Sequence, residues 1–338
     1  PIGKTLAGSC ERWGAVPPHS TKNPQPEDIP DCYRIRKTEF MVSFPRKPLR
    51  YKQEIYSHSS LDSFCSAELE NGIHSIAYGN GLLDLMVEDR NAETTIVFFH
   101  GAVPFRKTTL PVFSGLSVSS DLDANLVLVS DPGLENGTNL TWYAGDSERN
   151  LQHDLANVLI HILRNFAQHK YAITYGSSGG GFASLIYAAK LPNCTAMAVN
   201  PQTEIANYHP KAVERFTDTC WNGLPIEAVP AMTKVCDIYG APCDTRVVYI
   251  QAMGDEHVSD HMTPFFERIH PENQVGIRFL WNGVGHQAPH KELVTAMLED
   301  AISSRGDWED LKLRLSLLTQ VPPQELSKLK TQYLTGLQ

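Results

Sequence analysis

The pentapeptide Gly176-Ser177-Ser178-Gly179-Gly180 sets a hydroxyl between small residues two positions to either side. A tight turn from strand into helix presses exactly those flanking positions against neighbouring backbone, so Gly176 and Gly180 suit a turn centred on Ser178. Centring it on Ser177 would put Tyr175 where a small side chain is needed. Gly-rich turns also hold phosphates at helix N-termini, but no Lys-Ser/Thr pair follows these glycines as a P-loop requires. Ser178 is therefore read as a nucleophile. At neutral pH a serine needs a base, and an acid to orient that base.

Two downstream loops offer them in the order nucleophile, acid, base. Asp255 lies in Gln251-Ala252-Met253-Gly254-Asp255-Glu256-His257, and His286 in Trp281-Asn282-Gly283-Val284-Gly285-His286, each after an apolar run. Glu256 and Asp260 compete for the acid; His257, His261 and His290 compete for the base. None of the three follows a strand through a glycine-rich loop as His286 does. Ester chemistry also creates an oxyanion that preplaced donors must meet. The backbone N–H of Gly179 is one natural donor, and the other is expected from the loop His100-Gly101-Ala102-Val103-Pro104.

The elements that must position these groups are legible in outline. Short apolar runs, read as buried parallel strands, occur at 95–99, 126–129, 171–175, 196–199, 247–250 and 276–280. Between them, Leu151, Leu155, Leu159, Ile162, Leu163 and Phe166 recur at helical spacing, and a further helix follows Pro289. Alternation in 72–87 around Gly79-Asn80-Gly81 reads as a β-hairpin. The expected fold class is α/β, a mostly parallel sheet covered by helices on both faces, with the antiparallel hairpin as its N-terminal edge. Residues 204–245 interrupt the alternation and read as a small cap over the strand ends where such folds bind ligands. Residues 1–70 are expected as an irregular arm and wrapping segment, 71–305 as the main domain, and 306–338 as an amphipathic helical tail. That tail reads as packed on its own domain, with a homodimer through it as the alternative.

With 338 residues, 42% of them hydrophobic, the chain can bury a full core. A net charge of −9 and no basic run argue against a nucleic-acid partner. No apolar stretch approaches the length of a membrane span. Seven Cys without CxxC spacing fit reduced thiols in the cytoplasm, although Cys220, Cys236 and Cys243 lie close enough in sequence to include one bridge. The chain begins at Pro1, which leaves a removed secretion leader open. Three Asn-X-Thr matches, at Asn136, Asn139 and Asn193, carry little weight without a secretory signal. No HExxH or comparable His/Asp spacing points to a metal, and no cofactor is implied.

His100-Gly101 after the first buried strand, the Gly-x-Ser-x-Gly elbow, Asp255 and His286 together resemble the α/β-hydrolase superfamily over roughly residues 73–304. The resemblance implies Ala102 N–H as the second oxyanion donor and a loop-shaping role for His100. Only Gly101 stands where many lipases and esterases carry three glycines, so the resemblance does not extend to that branch. The strand-end segment Asn200-Pro201-Gln202-Thr203 is expected to face the site, and is also similar to accessory hydrolases of bacterial polysaccharide or glycoprotein export. The implied activity is cleavage of a small-molecule or glycan-linked acyl or acetyl ester through an acyl-enzyme on Ser178. One alternative is an acyltransferase that passes the acyl group to a sugar hydroxyl or amine. Another is an inactive binding or assembly protein on the same fold.

Overall fold

The computed structural model describes residues 44–319. In chain order its elements are β1 (Ile55–His58), α1 (Leu61–Ser66), β2 (Gly72–Tyr78), β3 (Gly81–Glu88), β4 (Thr94–Phe99), α2 (Leu116–Ser119), β5 (Asn125–Ser130) and α3 (Leu151–Asn165). They continue with β6 (Tyr171–Ser177), α4 (Gly179–Ala188), β7 (Cys194–Val199), α5 (Pro210–Cys220), α6 (Cys236–Tyr239), β8 (Arg246–Ala252) and α7 (Thr263–Arg268). The last are β9 (Val275–Leu280), α8 (Lys291–Ser303), α9 (Trp308–Leu315) and β10 (Leu318–Thr319).

The strands form one sheet in the order β1-β2-β3-β5-β4-β6-β7-β8-β9-β10. β3 runs antiparallel to β2 and β5, and β10 antiparallel to β9; the other pairs are parallel. The continuous apolar strands are explained by cover on both faces. In β4, Val97 and Phe99 join one core with Leu155, Leu159 and Ile162 of α3 and Phe182 of α4. Ile96 and Phe98 join the opposite core with Val294, Met297 and Leu298 of α8 and Leu311 and Leu315 of α9. Each such fully buried side chain contributes roughly 1.5–3 kcal/mol.

The chain leaves β4 toward β5 on one side and returns to β6 on the other. A crevice opens outside the carboxyl ends of strands at such a reversal. His100 and Ser178 follow β4 and β6 there.

Two local features depart from the sequence expectation. The hairpin β2–β3 sits near the sheet edge, but β1 lies outside it, so residues 55–66 are regular where an irregular arm was expected. β1 has only four residues, none fully buried, too few to print a period. Leu318, expected on the helical face of the tail, instead begins the exposed strand β10. The arm residues 1–43 and residues 320–338 of the expected helical tail lie outside the described residues. Cys220, Cys236 and Cys243 are all free thiols, as are Cys65 and Cys194.

Candidate active site

Ser178 joins β6 to α4 with φ +57° and ψ −119°, a backbone state that costs a non-glycine residue about 1–3 kcal/mol. Neighbouring strands hold it there: Ser178 N–H donates to Val199 O at 3.0 Å, and Ser178 O accepts from Phe182 and Gln202. The glycines permit the close approach. A Cβ on Gly176 would stand 2.0 Å from Gly180 O, and one on Gly180 would stand 2.4 Å from Phe99 O. Gly101 packs on the same turn, where a Cβ would meet Ser177 O at 2.9 Å. Gly179 opens α4, so its N–H belongs to the helix turn that has no internal acceptor.

His100 is buried at the end of β4. Its Nε2 accepts from Asp131 N–H at 3.1 Å, so Nδ1 carries the proton and donates to Gly101 O at 2.8 Å. Burial lowers its pKa, against the opposing charge of Asp131. Both ring nitrogens of His100 are thus engaged, one of them on the loop that continues into Ala102. Tyr143 braces that loop, accepting from His100 N–H at 2.8 Å and donating to Val129 O at 3.0 Å.

Asp255, buried beyond β8, accepts from His286 Nδ1 at 2.7 Å through Oδ2 and from His257 N–H at 2.9 Å through Oδ1. Burial works against its charge, but these hydrogen bonds and the nearby imidazoles outweigh it and depress its pKa. Nδ1 of His286 is thereby engaged, and among the described residues its Nε2 has no hydrogen-bond partner. The two loops are clasped by Gly285 N–H donating to Gly254 O at 2.8 Å. Asp255 and His286 are thus brought together, whereas Ser178 Oγ is hydrogen-bonded not to His286 but to Gln202 Nε2, at 3.0 Å. The Gln202 amide is oriented in turn by Trp142 Nε1–H, which donates to its Oε1.

Asn200 ties the strand ends to one another. Its Oδ1 accepts from Ala252 N–H at 2.7 Å, its Nδ2 donates to Gln287 O at 3.0 Å, and its carbonyl accepts from His257 Nδ1 at 2.9 Å. The segment 200–203 was expected at the site, but one dimension of sequence does not say which side chains turn inward. Trp142 lies in a loop with no signal of its own.

The competing groups are placed as follows. A single π-helical turn, Val258–Met262, follows Asp255 and buries His257 and His261. The His257 ring lies 4.3 Å from that of His286, and burial, reinforced by the His286 charge, lowers its pKa. Burial, with His257 next in effect, pushes His261 down to about 3. Glu256 lies 3.6 Å from His209, Asp260 is exposed, and His290 stands at the N-cap position of α8 without a side-chain capping hydrogen bond. Asp255, His257 and His286 offer ligand atoms within 4.8 Å of one another. A cation bound by all three would compete with the Asp255–His286 hydrogen bond.

No family model matches the chain, and no curated protein matches it. Among solved structures it is similar to the capsule O-acetyltransferase of Neisseria meningitidis serogroup A, with TM-score 0.53 and 15% identity over 70% of this chain and 97% of that one. It is also similar to an S-formylglutathione hydrolase from Agrobacterium tumefaciens, with TM-score 0.47 and 14% identity over 70% and 94% of the two chains. At such identity the likeness speaks to architecture alone. Among the described residues no helix is long and apolar enough to cross a membrane. The mostly parallel sheet with helices on both faces, the strand–elbow–helix unit at Ser178 and the first of these likenesses together give the chain the α/β-hydrolase fold.

Proposed function

We propose that the protein is a serine hydrolase that cleaves a carboxylic ester, acyl or acetyl, through an acyl-enzyme on Ser178. The observation that carries this is the hydrogen bond between exposed His286 and buried Asp255 at the strand ends that also present the Ser178 elbow. His286 Nε2 takes the Ser178 proton as Oγ bonds to the ester carbon. The carbonyl electrons move onto oxygen, facing the N–H groups of Gly179 and Ala102. Collapse expels the alcohol, which receives the proton from His286. Water then attacks the acyl carbon, gives its proton to His286, and releases the acid as the proton returns to Ser178. For the first step Ser178 Oγ leaves Gln202 and turns to His286, a tightening common on substrate binding.

The test is a fluorophosphonate adduct mapped to Ser178 by peptide mass, with hydrolysis of p-nitrophenyl acetate. Full hydrolysis by Ser178→Ala would overturn the assignment. The likeness to a capsule O-acetyltransferase favours a second reading, transfer of the acyl group to a sugar hydroxyl. Product analysis with and without a sugar acceptor separates the two.

A further inference from the structure

An open cleft of about 260 Å³ lies beside the elbow, lined by Ala102, Phe105, Leu140, Tyr208, Lys211 and Arg215 among others. Two of these residues connect it to the nucleophile. Ala102 follows Gly101, whose added Cβ would stand 3.6 Å from Ser178 Cβ, and Leu140 packs over Gly179, where a Cβ would meet its Cδ1 at 2.5 Å. Tyr208 forms the far wall, edge-on to the Trp142 ring that orients Gln202 and to His257. The volume suits a sugar-sized or short acyl group better than a long chain.

The charge of the cleft is one-sided. Lys211 and Arg215 lie four residues apart on α5 and share a face, and no carboxylate lines the cleft. His209 is matched by Glu256 at 3.6 Å. Among the described residues neither Lys211 nor Arg215 has an ion-pair partner, and Glu214 beside them pairs with neither. The Arg215 guanidinium rests on the Phe105 ring at 4.6 Å from its centroid, which fixes its plane and leaves its N–H edge free. In a chain of net charge −9, two cations beside the elbow with no ion-pair partner among the described residues suit an anion from outside.

We infer that this cleft selects esters bearing a carboxylate or phosphate, with Lys211 and Arg215 holding that anion while the ester carbonyl lies at Ser178; the inference rests on the hydrolase reading. The probes are acetylated glucose, acetylated glucuronic acid and acetylated glucose 6-phosphate, which also distinguish the two anions. The wild-type protein is expected to prefer at least one charged ester by roughly tenfold in kcat/KM. In Lys211→Ala/Arg215→Ala protein the ratio of charged to neutral kcat/KM is expected to fall by about the same factor, mostly through KM. Equal rates on the three esters, or an unchanged ratio in the variant, would overturn the cleft's role. Binding of glucuronate and glucose 6-phosphate, against glucose, to Ser178→Ala protein tests the cleft without catalysis. Selective binding with no fluorophosphonate adduct on the wild type would sink the hydrolase reading alone; no selective binding would sink the cleft alone.

Discussion

Gln202 donates its side-chain N–H to Ser178 Oγ at 3.0 Å, with the amide oriented by Trp142. On the proposed mechanism, a donor within reach of Ser178 Oγ is also near the oxygen that becomes negative when Oγ attacks. Gln202→Leu is accordingly expected to lower kcat by roughly 10- to 100-fold with KM changed little. Steady-state kinetics on a neutral ester check this, and an unchanged or raised kcat would show the contact to be a resting restraint only.

Asp255 holds His286 by its Nδ1, so on the proposed mechanism Asp255→Asn should lower kcat/KM by roughly 10³- to 10⁴-fold, as loss of the orienting carboxylate does in serine–histidine–aspartate triads. Because its folded pKa is depressed, the stability Asp255 contributes is present above about pH 3.9 and is lost as the pH falls through the folded value. The stability gap between wild type and Asp255→Asn, read from urea unfolding, should therefore narrow below about pH 3.9. A gap that is constant with pH would contradict the ionised, hydrogen-bonded carboxylate.

His261 is buried and neutral beside His257, with Asp255, His286 and His209 also acting on it. Its pKa of about 3 lies below the unfolded value near 6.5, so the unfolded chain binds the extra proton between them. The contribution of His261 is thus fully present above about pH 6.5 and declines as the pH falls toward 3. Between pH 7 and pH 4.5 the wild type should lose about 2 kcal/mol more than His261→Gln. Equal losses in urea titrations would refute it.

At Gly180 a Cβ would meet Phe99 O at 2.4 Å and His100 O at 2.8 Å, whereas at Gly285 it would meet nothing within 4 Å although φ is +96°. Gly180→Ala should cost at least about 3 kcal/mol despite the better helix propensity of Ala, and Gly285→Ala about 1 kcal/mol from backbone strain alone. Thermal unfolding midpoints rank the two; the reverse order would mean that the elbow relaxes more easily than its backbone contacts imply.

The parallel-strand core and the glycine-flanked turn at Ser178 could be read from the sequence because each is local. A strand buried on both faces prints a continuous apolar run, as at 95–99 and 247–250, and a turn with no room for Cβ prints glycines, as at 176 and 180. β1 and β10 left no such print, being short and without a fully buried side chain. Which acid meets which imidazole was not local. Asp255, Glu256 and Asp260 all follow β8, and only the parallel pairing of β8 with β9 and the clasp of Gly254 on Gly285 bring His286 onto Asp255 while Glu256 turns to His209. The roles of Asn200, Gln202 and Trp142 depend likewise on where loops separated by dozens of residues converge. Strand order and side-chain direction decide that convergence, and residue spacing along the chain carries neither.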